Sequence, residues 1–143
     1  TANRGLEDVV TIHGRLGRKD LLDVYAGSDA VIVPTRGTFC EGLPLVCAEA
    51  VIAGLPIVTS RLSNALPVLG PAISPAEPED VESFARAVEK IALDPQEYAA
   101  LNGACTALSE QFFERGSSYP AALDRLICLL FGKMPLPSYD DLF

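Results

Sequence analysis

Apolar residues in the first half of the chain fall into short β-branched runs separated by stretches of helical spacing. Runs at residues 9–12, 30–33 and 56–59 alternate with helical patterns at 19–26 and 45–53, which predicts a βαβαβ succession and so a parallel sheet. The runs lack polar alternation, as expected of strands covered by helices on both faces. After a proline-rich passage at 67–78, to which the pattern assigns no element, the chain turns helical. Val81, Phe84, Ala85, Val88, Ile91 and Ala92 share one stripe of a helix.

Asp94-Pro95-Gln96-Glu97 carries the marks of a helix start: a side-chain cap, a proline in the first turn and a glutamate three residues after the cap. Tyr98, Leu101 and Leu108 continue the inner face of that helix, and a further helix is predicted over 121–131. Residues 132–143, with prolines and the adjacent Asp140 and Asp141, read as an irregular tail, leaving residues 1–131 as one domain.

Composition narrows the partners. A chain of 143 residues that is 49% apolar suffices for one domain with its own core. Its formal net charge of -8 disfavours nucleic acid and anionic membranes, whose phosphates would repel it. Small anions stay admissible, because backbone N–H groups act locally. No apolar run approaches the roughly 20 residues that span a bilayer, so no transmembrane segment is expected, and the chain reads as soluble and cytoplasmic. Cys40, Cys47, Cys105 and Cys128 form no C-x-x-C pair and are joined by a single histidine, His13, so reduced and mostly buried thiols are expected and no metal site.

The chemistry concentrates in Glu41-Gly42-Leu43-Pro44-Leu45-Val46-Cys47-Ala48-Glu49, which joins a predicted strand end to a helix start. In parallel sheets ligands bind beyond the carboxyl ends of strands. Pro44 suits a first helical turn, so N–H groups around Gly42, Leu43 and Leu45 should face an anion or a sugar hydroxyl. A side chain at Gly42 would hold a ligand off the backbone. Glu49 is the sole charge among Leu45, Val46, Cys47, Ala48, Ala50, Val51, Ile52 and Ala53, a helix that reads as buried on all sides. Such a carboxylate needs either an internal partner, such as Arg15 or Arg61, or a polar cavity. It lies about five residues into the helix, roughly 7.5 Å along the axis, so it and Glu41 would touch two parts of one long ligand. Glu41 by itself is equally compatible with an acid that favours a helix N-terminus.

Taken together, Asp29-Ala30-Val31-Ile32-Val33-Pro34-Thr35, the Glu41 to Glu49 stretch, and Gly54-Leu55-Pro56-Ile57-Val58-Thr59-Ser60 resemble the C-terminal, donor-binding domain of glycosyltransferase family 4. The likeness is clear over 14–60, looser to about residue 113, and absent from the tail. It implies an α/β fold: a Rossmann-like parallel sheet flanked by helices, an incomplete half of a GT-B fold, with C-terminal helices. It also implies a retaining glycosyltransferase that moves a hexose-type sugar from a nucleotide-diphosphate-sugar, with no metal or other cofactor. Glu41 would stand beside the transferred sugar. Gly42, Leu43, Pro44 and Leu45 would meet sugar and diphosphate, Glu49 the ribose hydroxyls, and Gly14 and Arg15 the base.

The resemblance also marks departures. An arginine and a lysine that clamp the diphosphate in similar enzymes lie upstream of the first predicted strand and have no counterpart here; Arg36 and Arg61 are the candidate substitutes, each also readable as a surface arginine. A glycine pair and glutamate common after the 56–59 strand are missing from 61–70. In a sheet ordered 3-2-1-4-5-6, the 9–12 strand would be third and the 30–33 strand fourth, leaving the two places between them empty. The slot must be closed by direct pairing, filled by a partner, or left open. These departures predict a partial domain that transfers no sugar alone and needs an N-terminal acceptor-binding domain. The alternative is a non-catalytic interaction or regulatory module derived from the same fold.

Overall fold

The computed structural model describes residues 5–38 and 42–131. Helix α1 (Arg18–Ala26) leads to strand β1 (Val31–Val33), then α2 (Leu45–Ile52), β2 (Ile57–Ser60), the short α3 (Leu66–Leu69) and β3 (Ile73–Ala76). Helices α4 (Val81–Leu93), α5 (Pro95–Ser109) and α6 (Tyr119–Phe131) follow. The sheet is parallel throughout, ordered β1-β2-β3, with Val31 opposite Ile57 and Ile57 opposite Ile73. This is a Rossmann-like half of a GT-B fold, as the sequence predicts.

Every residue of the central strand β2 is buried. Ile57 packs with Val51, Leu69, Ile73 and Cys105 on one face, while Val58 meets Ala76, Ala87 and Ile91 on the other. The Thr59 hydroxyl donates to the Val33 carbonyl at 2.7 Å, tying the carboxyl ends of β1 and β2 together. Helix α2 ends where Gly54 takes φ +77, a conformation that side chains resist. There Leu55 N–H reaches back to the Ala50 carbonyl at 2.8 Å and Gly54 N–H to Val51 at 3.1 Å, a Schellman closure. Asn102 of α5 donates to the Gly54 carbonyl at 2.6 Å and fixes that turn to the helical layer. The start of α5 is as read: the Asp94 carboxylate accepts from Gln96 N–H at 2.9 Å and Glu97 N–H at 3.1 Å. Glu97 itself turns to Lys90 at 2.6 Å.

Four expectations need correction. Residues 9–12 form no strand: Val10 N–H bonds the Leu6 carbonyl in a turn, and Val9 and Ile12 are 76% and 77% exposed. A strand persists only against a partner that takes its backbone groups; among the described residues β1 pairs with β2 alone, so the slot is left open. The passage 67–78, to which the pattern assigned no element, holds most of α3 and the third strand, β3. Pro75 is tolerated there because β3 is the last strand of the order, with no ladder on its outer side. Helix α4 is rotated from its predicted stripe. Ala87 and Ile91 are its buried residues, whereas Val81, Ala85, Val88 and Ala92 are exposed.

The fourth concerns α2. It buries Cys47, Ala48, Ala50 and Val51 but leaves Leu45 78% exposed, with Val46, Glu49 and Ile52 also outward. Its high apolar content therefore does not measure burial. Cys47 and Cys105 are buried, as expected; Cys128 is half-buried, and Cys40 lies outside the described residues. The tail, 132–143, lies outside them as well.

Candidate functional site

The carboxyl end of β1 leads through Thr35 and Arg36 to the loop that enters α2, so this helix begins at the sheet end where ligands of parallel folds bind. Pro44 is its N-cap, at φ -60 and ψ 122, and among the described residues no side chain caps the helix. Intrahelical bonding starts with Cys47 N–H to the Pro44 carbonyl at 2.9 Å. By helix geometry the N–H groups of Leu45 and Val46 precede that ladder and point out of the helix end. Gly42 is exposed, Leu43 partly buried against the core and Pro44 buried, which anchors the loop and leaves its outer side accessible. A β-carbon at Gly42 would meet nothing within 4 Å, so among the described residues nothing demands glycine there. Glu41 lies outside the described residues.

One turn further along α2, Glu49 projects into a pocket of about 550 Å³ between α1 and α2. Its walls are Arg18, Leu21, Leu22, Tyr25, Ile52 and Ala53. The carboxylate is exposed rather than dry, and Tyr25 Oη donates to its Oε2 at 2.9 Å. No cation pairs with it among the described residues: Arg61 is bound to Glu77 at 2.6 Å, and Arg15 is exposed in the loop before α1. Of the two outcomes open to Glu49, neither Arg61 nor Arg15 pairs with it, and the cavity it lines is mostly apolar, walled by Leu21, Leu22, Ile52 and Ala53, with Arg18 and Tyr25 as the other polar walls. The burial premise was nonetheless mistaken, because Glu49 sits on the outward face.

Tyr25 was not singled out by its chemistry in the sequence. Its signal was positional: Leu21, Leu22 and Tyr25 fall at i, i+1 and i+4 of α1, and an amphipathic aromatic on an inner helix face commonly brings its hydroxyl to a polar group. Tyr25 is partly buried and packs against the core. Burial, then the hydrogen bond to Glu49 and the charges of Glu49 and Cys47, push its phenol up to about 12. It therefore stays a proton donor to Glu49 at neutral pH. Gly14, at φ +66, and Arg15 do not form the pocket wall but lead through Gly17 into α1, whose first residue, Arg18, does. Arg36 is exposed and lines a different pocket, beside Asp80 and Phe84.

Among the described residues no group of three or more His, Cys, Asp or Glu side chains is placed to hold a metal ion, and no helix is long and apolar enough to cross a membrane.

Three likenesses bear on this arrangement. A D-inositol 3-phosphate glycosyltransferase of Saccharomonospora viridis is 29% identical over 110 residues, which is 76% of this chain and 25% of that protein. The structure of a sucrose-phosphate synthase from Thermosynechococcus elongatus superposes with a TM-score of 0.72 at 23% identity, over 88% of this chain and 31% of that one. The chain thus spans about a quarter to a third of the length of these relatives. The family model described as glycosyl transferases group 1 matches residues 1–105, from the N-terminal loop through α2 and the sheet into α5, and the chain belongs to that family.

Proposed function

We propose that this chain is the donor-binding part of a retaining glycosyltransferase, gripping a nucleotide-diphosphate-sugar whose hexose-type sugar passes to an acceptor. The observation that carries the reading is the placement of Glu49: an exposed carboxylate with no cationic partner among the described residues, lining a pocket, on the helix whose start lies at the carboxyl end of β1. A nucleotide-sugar has matching parts in the same order. The ribose hydroxyls donate to Glu49, and the base lies toward Arg18 and the Gly14-Arg15 loop, against the apolar Leu21, Leu22 and Ile52. The diphosphate lies toward the N–H groups of Leu43, Leu45 and Val46, where the helix end favours negative charge. Glu41 stands by the transferred sugar, its carboxylate supporting positive charge at the anomeric carbon. Developing charge on the leaving diphosphate is offset by the helix terminus and basic side chains. The acceptor is held by a separate N-terminal domain, and the setting is cytoplasmic.

A second reading has one observation in its favour. Arg61, a candidate for the diphosphate clamp, is engaged by Glu77. That favours a non-catalytic module that keeps the nucleotide pocket and transfers nothing.

Calorimetric titration of the chain with ADP, GDP and UDP tests the shared core of both readings. At least one should bind, and Glu49→Ala should weaken it by about tenfold or more, the size of a hydrogen bond to a charged group. Absence of binding, or equal binding by Glu49→Ala, contradicts the assignment. Incubation of the chain with nucleotide-sugars should give no transfer on its own, and robust turnover would overturn the need for a second domain.

A further inference from the structure

We propose that Tyr25 is a positioning residue for the nucleotide: its phenol holds Oε2 of Glu49 so that Oε1 is presented to the ribose hydroxyls. This rests on the donor-binding reading above and adds to it the reason why an exposed carboxylate would have a defined direction.

The geometry is specific. Glu49 is exposed and, among the described residues, meets no lysine or arginine, so the hydrogen bond from Tyr25 Oη at 2.9 Å is what restrains its three side-chain torsions there. Tyr25 is itself fixed, since its ring packs on the core formed by Cys47, Val51 and Ile57, and it comes from another helix, 24 residues earlier. A carboxylate accepts through two oxygens, and occupation of one by an O–H donor leaves the other for a ligand. A phenol suits the task better than a lysine or arginine would. It orients the carboxylate without cancelling the charge that strengthens its bonds to ribose hydroxyls. The competing explanation is a clip that merely fastens α1 to α2, and it makes different demands on binding.

Tyr25→Phe keeps the ring and removes only the hydroxyl. The probes are ADP, GDP and UDP with their 2′,3′-dideoxy counterparts, titrated into wild type, Tyr25→Phe, Glu49→Gln and the double variant. Tyr25→Phe should weaken the best ribonucleoside diphosphate about threefold to tenfold, as loss of one oriented hydrogen bond implies. It should leave the dideoxy analogue unchanged and add nothing in the Glu49→Gln background. Equal weakening of both nucleotides would identify a structural clip and overturn the proposal. Unchanged ribonucleotide binding by Tyr25→Phe, with a clear loss in Glu49→Gln, would remove the role of Tyr25 alone. Unchanged binding by Glu49→Gln, or no binding by wild type, would remove the donor-binding reading and this proposal with it.

Discussion

The two flanks of the sheet use similar residues and reach opposite ends. On the β2–β3 side, Ile57, Val58 and Ile73 are buried between α2, α5 and α4. On the β1 side, Ile32 is 52% exposed, and two pockets of about 690 and 700 Å³ meet at its side chain. Their walls include Val81, Val88 and Ala92, the part of the predicted α4 stripe that the core does not use. Residues 9–12 share this condition, apolar and exposed. A β-branched run declares that it can be covered; whether it is depends on what stands next to it. The flank that α2, α4 and α5 cover became a core, although β3 too pairs with β2 alone, and the face around Ile32, which no helix among the described residues covers, did not.

Substitutions should follow that division. Ile57→Ala, in the fully buried central strand, should cost about 2–5 kcal/mol in urea unfolding, the range for a large core deletion. Asp94→Ala removes the cap of α5 and should cost about 1 kcal/mol, seen as a lower urea midpoint with little change of slope. Ile12→Ser, at a residue that is 77% exposed, should stay within about 0.5 kcal/mol. A large loss from Ile12→Ser would show that residues 9–12 are held against something and would break the contrast.

A subtler difference is expected in alkali. The phenol of Tyr25 is raised from about 10 to about 12, so its contribution to stability is fully present below pH 10 and is lost as pH rises toward 12. Burial pushes the Cys105 thiol up to about 11, with a loss of the same sign from pH 9 upward. Comparing wild type with Tyr25→Phe isolates the phenol: between pH 9 and pH 11 the urea midpoint of wild type should fall further. Parallel curves would mean that the fold does not raise the Tyr25 phenol.

Local signals served well where they act locally. The Asp94 cap and the strands around Ile32 and Val58 are set by residues within a few positions, and both could be read from the sequence. Strand β3 was hidden because Pro67, Pro71, Pro75 and Pro78 mask its short apolar run, although a proline is harmless on the outer side of a last strand. Residues 9–12 erred in the other direction, since a strand partner is a long-range fact that no local pattern contains. At the site, Glu49 was found by its anomaly in an apolar helix, yet for a mistaken reason. The helix is not enclosed, and the partner of Glu49 is Tyr25 on α1, a contact only the fold creates. Gly42, Leu43 and Leu45 were named from the rule that a helix start carries open N–H groups, and Pro44 from its place as the residue that opens the helix.

The central claim is that a nucleotide settles between α1 and the first turns of α2. The most direct measurement is a ¹H–¹⁵N correlation spectrum of the chain titrated with ADP, GDP and UDP in turn. The account predicts that at least one shifts amides at 14–18, 25 and 42–49 and leaves those of α6 in place. Shifts confined to the β1 flank around Ile32 and Val88, or no shifts with any of the three, would contradict it.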